Sequence, residues 1–579
     1  MSKSDTINAQ GGQKLGFTEW LWDIGIVTLL GLATIVINYK MIKDGLNGMP
    51  DIRWHITWLQ HFSQELAEGI WYPRWLAGTN FGYGSPTFVF YPPLPYYLGS
   101  VLKFLGLDTH QALVSVFSLS LFGCGCNFYI YGRRKWGKFA TLVGSLVFMS
   151  APFLGYNIYF AARFAEVFAL LWVPLGLWLT DKALQYPRWR IPLAMFFACF
   201  ALSHVPSLLL GFIFWLPYTF FALLKKPWQA VVTTIGAAFA GFGMVSLYLL
   251  PALKEKSLVN TEAMKSVLGG FRANLLGTPL TLNKVFLVRI QNMIWVELAI
   301  VAVLVVICCW FHRRSQDKLR ETWSWLAFAG AIALMMSNLS LPLWQASPTL
   351  QMVQFPWRMM GLFSFALAGV ASLTVNGILK HHLVIKIIFS CLFLGILFWN
   401  FQYTYKLSRS IPTINNPGKG KVANLEHITI ALNEPYEDKL IDVRPYRPLI
   451  NQGYAAPDPI IDQPPVVVID GEAEIEVERW DSYHRQFQVN VDKPARIRMR
   501  TYYYPAWHLH VDKKPFPISI PANGTMEFEL KDYGSHTVKL DYGWTNAFKL
   551  GIILSLGSVV AVITFCLNYP WLKRLGLIE

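Results

Sequence analysis

Residues 359–378 read MMGLFSFALAGVASLTVNGI, twenty residues without a charge or a proline. A helix of that length is about 30 Å long, the thickness of a bilayer's hydrocarbon core. Immediately before it stand Phe355-Pro356-Trp357-Arg358, so an arginine marks the point where the chain enters the apolar run. Outward from this stretch the pattern recurs. Apolar segments near 21–40, 111–131, 139–156, 164–180, 190–203, 207–224, 229–250, 293–311, 322–337, 383–402 and 547–568 join it to give twelve expected spans. One more apolar stretch, Phe88 to Leu105, contains Pro92, Pro93 and Pro95. Prolines remove backbone donors and break helices, so this stretch reads as a juxtamembrane or re-entrant helix and not as a span.

The composition agrees. Of 579 residues 54% are hydrophobic and 15% charged, against about 25% charged in soluble domains. An ordinary cytosolic enzyme is excluded; a polytopic α-helical membrane protein is expected. Forty Phe, 25 Tyr and 23 Trp suit many membrane–water interfaces. The net charge of +15 resides largely in clusters between spans: Arg133 to Lys138, Lys182 to Arg190, Lys225-Lys226, Arg313 to Arg320, Lys380 to Lys386 and Lys573-Arg574. With a cytoplasmic N-terminus and no crossing at 88–105, all of them fall on the cytoplasmic side, as the positive-inside rule requires. The basic residues of 252–292 depart from that pattern. The charge therefore points to a bilayer and not to nucleic acid. Both termini are expected in the cytoplasm of a plasma (inner) membrane protein, and no cleavable signal peptide is apparent. All seven cysteines lie in apolar stretches, which excludes a disulfide framework and a Cys-x-x-Cys zinc site.

The expected organisation is a helical module over 1–402 with a first outer loop at 41–110, an outer domain over 403–546, and a last span and tail over 547–579. From Val466 the periodicity changes to two. Val466–Ile469, Ala473–Val477, Arg485–Val491, Ala495–Tyr503, Met526–Leu530 and His536–Asp541 read as strands of a β-sandwich-like domain. Asp470-Gly471, Asp492-Lys493-Pro494 and Asn523-Gly524 read as turns between them. Tyr504 to Trp507 reads as an aromatic corner leading into a hairpin at Val511 to Lys514. Residues 408–465 have weak periodicity and carry no functional reading.

The first outer loop concentrates the chemistry. Asp51 and His55 are four apart and share one face of a helix beginning at Pro50-Asp51. A carboxylate there, with an imidazole one turn away, suits a general base toward a hydroxyl. It equally suits a ligand pair for a divalent cation, or an N-terminal carboxylate with an exposed histidine. Glu65 and Glu68 read as a solvated face. Three further polar groups stand at span ends. Arg163 and Glu166 form a potential ion pair, His204 sits at a hinge and Arg358 follows a proline. An arginine at membrane depth is costly and is usually kept for a partner. A lipid-linked phosphate matches its fork of donors; snorkelling to headgroups and a structural role for His204 are the alternatives.

The acidic residue after the first span, the blocks Tyr72-Pro73-Arg74-Trp75 and Tyr91-Pro92-Pro93, and Phe355-Pro356-Trp357-Arg358 carry a family resemblance. The chain resembles GT-C-type polytopic glycosyltransferases, and more narrowly the bacterial membrane proteins labelled 6-pyruvoyl-tetrahydropterin synthase-related. The pterin label implies no activity, since such a synthase is a small soluble enzyme with a histidine zinc site. The resemblance implies transfer of a sugar, with inversion, from a polyprenyl-phosphate donor on the extracytoplasmic face. Asp51, with His55, is the implied catalytic or metal-binding pair. Arg358 and Arg163 are the implied phosphate ligands, with Glu166, His204, Arg74 and Tyr91 in support. GT-C relatives often carry paired acidic residues, whereas this chain has Asp51-Ile52-Arg53, so no cofactor is fixed beyond a candidate divalent ion. The acceptor is a glycan, lipid or protein. A twelve-span transporter or lipid flippase is the alternative, although its midplane charges and repeat symmetry are missing from the sequence. A non-catalytic scaffold for envelope polymer assembly is a third reading.

Overall fold

The computed structural model describes residues 17–46, 50–260, 269–278, 284–410, 444–450, 453–460 and 463–574. Each of the twelve expected apolar segments is largely helical, with 139–156, 164–180 and 229–250 each divided between two helices. Among the described residues nine helices are long and apolar enough to cross a membrane, from Glu19–Asp44 to Asn546–Phe565. A tenth span is reached if Trp228–Met244 and Ser246–Lys254, bent by 75° at their junction, are taken together. Among the described residues, length and composition thus support nine or ten of the twelve expected spans. The helix Arg190–Ala201 has only 12 residues and is about 18 Å long, too short for the hydrocarbon core. Gln316–Met336 carries Asp317, Lys318, Arg320 and Glu321 in its first turns.

Helix α1 (Phe17–Asp44) leads to α2 (Pro50–Ala67), the helix of the first loop. The stretch at 88–105 forms two short helices, α3 (Thr87–Phe90) and α4 (Leu94–Phe104), parted by Pro92 and Pro93. It is not a continuous span, as its prolines predict. The centre of the bundle is the helix over Pro356–Ile378, 94% buried in its most apolar window, whereas Leu383–Arg409 and Asn546–Phe565 are 17% buried. The central helix packs against Lys138–Met149 and Lys284–His312. Small residues permit the close approach: a Cβ on Gly144 would stand 2.0 Å from Ser372 Oγ.

Two of the basic clusters meet at one end of the bundle. Arg133 and Lys138 bind Asp23 (2.7 and 3.0 Å), Lys135 binds Asp181 (2.6 Å), and Lys318 reaches both Glu321 (2.8 Å) and the Lys135 carbonyl. This shared end is the arrangement their position in the chain predicts.

The β-rich segment contains β1 (Leu449–Ile450), β2 (Tyr454–Ala455), β3 (Val466–Trp480), β4 (His484–Tyr502), β5 (Trp507–Val511), β6 (Lys514–Pro515), β7 (Thr525–Leu530) and β8 (Gly534–Tyr542). β1 and β2 pair with each other. The others form one antiparallel sheet in the order β3-β4-β8-β5-β6, with β7 also on β4. Four of the expected strands are thus two long ones. Asp470-Gly471 and Asp492-Lys493-Pro494 are not turns but facing irregularities of the β3–β4 pairing. Gly471 has φ +87° and a Cβ there would lie 2.0 Å from the Pro494 carbonyl oxygen, so glycine is required. On one side of the bulge β4 pairs with β8, on the other with β7. The two halves face each other through Phe487 and Phe528, whose rings are 6.3 Å apart. The sandwich-like pattern thus arises from one bent sheet. Asp512 and Lys513, at φ 50° and 67°, make the expected hairpin turn between β5 and β6.

Candidate active site

Asp51 lies in the first turn of α2, where helix amides favour negative charge. One turn on, His55 is buried and its Nδ1 is 2.7 Å from the Tyr96 hydroxyl. Aromatic rings enclose it: Trp58, Tyr91, Tyr96 and Phe164 all have centroids within 6.4 Å. Burial pushes the His55 imidazole down to about 3, so it is neutral across the physiological range.

Two arginines approach the same place from distant parts of the chain. Arg163 precedes the helix Phe164–Leu170 and follows Ala162, a non-glycine residue at φ 51°. Arg358 lies four residues after Gln354, at φ 67°. Such left-handed backbone costs of order 1 kcal/mol or more, and it turns both loops sharply before they present their guanidinium groups. Glu166 joins the pair, its Oε2 lying 3.1 Å from Arg358 Nε and 3.4 Å from Arg163 Nη1. Arg358 Nη1 also donates to the Val353 carbonyl at 2.6 Å. Phe355 and Trp357 are stacked at 5.1 Å and form a platform. Arg163 lies 4.6 Å from the Trp357 ring and 5.0 Å from Phe355, and Arg358 lies 5.2 Å from Phe355.

The Asp51 carboxyl is raised above its usual range by burial, while Arg163, Arg358 and Arg53 pull the other way and Glu166 adds to the rise. His204 caps its helix, its Nδ1 accepting from the Ser207 amide at 3.3 Å. Burial, then Arg358 and Arg163, hold its imidazole well below the ordinary value. Asp51, His55, Tyr91, Arg163, Glu166, His204 and Arg358 are therefore brought together from α2, the α3–α4 connection and three span ends. Arg74 is not. Its guanidinium lies 3.9 Å from the Phe548 ring and donates to the Gly543 carbonyl at 2.9 Å, between the first loop and the start of the last span.

The donor set at Asp51 does not fit a divalent cation. His55 Nδ1 is engaged by Tyr96, and three guanidinium groups act on the carboxylate. Among the described residues no group of three or more His, Cys, Asp or Glu side chains is placed to hold a metal.

Sequence reasoning missed several neighbours. The Asn157 amide is buried with neither polar atom paired among the described residues, as are Glu166 Oε1 and Arg163 Nε; such groups suit a polar ligand. Tyr446 stacks on Phe90 (5.7 Å) from a region without periodicity that could have flagged it. Glu65 is not on a solvated face: it is 1% exposed and accepts from the Ala77 amide.

Comparison with known proteins places the chain in a family. A family model described as 6-pyruvoyl-tetrahydropterin synthase related domain, membrane protein, matches residues 88–405. An uncharacterized protein of Lactococcus lactis subsp. cremoris is 24% identical over 257 residues, 42% of this chain and 42% of that protein. Among solved structures, the oligosaccharyltransferase of Archaeoglobus fulgidus, in complex with zinc and sulfate, is similar at a TM-score of 0.36 and 13% identity, over 74% of this chain and 59% of that one. ArnT of Cupriavidus metallidurans, in its apo state and bound to undecaprenyl phosphate, is similar at a TM-score of 0.29 and 14% identity, over 62% of this chain and 78% of that one. The chain thus spans less than two thirds of the Lactococcus protein and of the oligosaccharyltransferase.

Proposed function

The chain belongs to the 6-pyruvoyl-tetrahydropterin synthase-related family of membrane proteins, and from that premise we propose that it is a glycosyltransferase moving a sugar from a polyprenyl-phosphate donor to an acceptor at the extracytoplasmic membrane surface. The observation that carries the reading is a half-buried carboxylate on α2 in the field of two guanidinium groups at span ends. In this reading Asp51 accepts the proton of an acceptor hydroxyl as its oxygen forms a bond to the anomeric carbon. The bond from that carbon to the phosphate oxygen breaks, and the polyprenyl phosphate leaves with the electron pair. Arg163 and Arg358 bind the departing phosphate and stabilise its charge. Glu166 holds the two arginines side by side and His55, neutral and fixed by Tyr96, orients the acceptor. A carboxyl raised above its usual range is a better base near neutral pH. In this reading the site opens on the membrane side away from the basic clusters, with α2 and the β-rich segment outside and both termini in the cytoplasm.

The test is transfer from a radiolabelled polyprenyl-phosphate sugar by the protein in liposomes. Asp51→Asn should lower the rate at least about 100-fold, the usual contribution of a general base, with unchanged thermal unfolding. Wild-type transfer should decline as pH falls through the raised carboxyl value, since only the ionised form accepts a proton. Full activity of Asp51→Asn would end the proposal.

A further inference from the structure

A cleft whose lining does not include Asp51 lies where the first loop, the β-rich segment and the residues just before the last span meet. Its walls are Trp71, Tyr72, Arg74, Tyr483, Tyr542 and Trp544, around a cavity of about 160 Å³. At about 10–15 Å³ per water, that is room for on the order of ten heavy atoms, the size of one pyranose ring. The walls are mostly flat rings. Trp71 and Trp544 are 57% and 48% exposed, large apolar faces left uncovered by the rest of the chain. Both pack against Phe548, at 6.4 and 5.9 Å, near the start of the last span at Asn546. The polar complement is sparse and convergent. Arg74 is 5% exposed and lies against Phe548 and Tyr542 (5.1 Å). Tyr542 is also 5% exposed, and its hydroxyl has no hydrogen-bond partner among the described residues. A buried hydroxyl costs free energy until something pairs with it.

Aromatic faces with a few fixed donors suit a ligand that is apolar on its ring face and polar at its rim. A pyranose has that shape: axial C–H groups on one face, hydroxyls at the edge. Among the described residues no carboxylate lines the cleft, and Arg74 offers only donors, so the ligand edge it meets must supply acceptor oxygens. We infer that this cleft is a saccharide-binding site, taking one sugar residue of a glycan held at the membrane surface, with its ring against Trp71 or Trp544 and its oxygens toward Arg74 and the Tyr542 hydroxyl. If the transferase reading holds, this is the acceptor's subsite; sugar binding here does not depend on catalysis.

The experiment is saturation-transfer NMR on the full protein in phosphatidylcholine nanodiscs. The probes are methyl β-glucopyranoside, methyl N-acetyl-β-glucosaminide and glucuronate, with glycerol 3-phosphate as the headgroup control. At least one sugar should show ring-proton saturation, and Trp71→Ala or Trp544→Ala, whichever removes the stacking ring, should weaken its binding tenfold or more with melting temperatures unchanged. Three results would overturn the inference: no sugar saturated, glycerol 3-phosphate bound where sugars are not, or sugars bound equally well by both tryptophan variants. Sugar binding retained by Asp51→Asn separates this cleft from the transfer site, so either proposal can fail while the other stands.

Discussion

Replacing Glu166 by glutamine asks whether one carboxylate holds two arginines. With Oε2 at 3.1 and 3.4 Å from the two guanidinium groups and an effective dielectric of about 20, each contact is a gross attraction of about 5 kcal/mol. Most of that is offset by the cost of withdrawing three charges from water. The balance changes when one partner is removed, because the desolvation of the others is then unrelieved; such losses run to about 3–5 kcal/mol. Asp51 shares the same positive field, so the lower end applies here. In a chain this long each kcal/mol lowers the melting temperature by about 1 °C, and Glu166→Gln should melt roughly 3 °C lower. The uncoupled arginines should also bind anions more tightly, so inorganic phosphate should restore more stability to the variant than to the wild type. Intrinsic tryptophan fluorescence in detergent micelles, heated with and without phosphate, reads both effects. A variant that melts within about 1 °C of wild type and ignores phosphate would refute the reasoning.

Two further predictions concern the loop and its histidines. Gly84 has φ +77° and a Cβ there would stand 2.4 Å from the Trp75 ring, so Gly84→Ala should cost about 2–4 kcal/mol through backbone strain and displacement of that ring. Limited proteolysis should then cut within 444–542 sooner than in the wild type; an unchanged digest counts against the packing described. His55 and His61 are both pushed down to about 3 by burial, from an ordinary value of 6.5. Between these values the unfolded chain binds protons that the folded chain does not. Stability is therefore fully present above pH 6.5 and falls as pH drops toward 3, by about 1.4 kcal/mol per pH unit for each histidine. His61→Gln should flatten the melting temperature's dependence on pH between 6.5 and 4.5, and an unaltered slope would contradict the assignment.

The span ends were legible because charge is rare in this chain and costly at membrane depth. Arg163, Glu166 and Arg358 stood out against apolar runs, and the structure gathers them beside Asp51. Arg74 stood out equally, yet the chain alone does not reveal which surface its loop faces. The Gly543 carbonyl that accepts from it lies far away in sequence. Glu65 has the spacing of a solvated helix face, yet it is buried and its charge acts on Tyr483 and Tyr542, far away in sequence. Asp470-Gly471 has turn chemistry, but the same left-handed glycine serves a bulge when the partner strand is long enough to continue. The short helix Arg190–Ala201 shows the limit of hydropathy, which counts apolar residues without seeing where a helix stops.

The loop around Trp75 has a consequence for biosynthesis. The amides of Arg74 and Trp75 donate to the Tyr483 hydroxyl, 409 and 408 residues later, and the Tyr502 amide donates to the Tyr83 carbonyl. At ribosomal speeds of about 5–20 residues per second, these acceptors and donors emerge roughly 20–80 s after the loop that needs them. A nascent chain thus inserts most of its helices while the loop following α2 lacks its last partners. A product cut short before Tyr483 would sit in the bilayer with Trp75 uncovered, so a reporter fused behind the helical bundle would register insertion long before the loop could close.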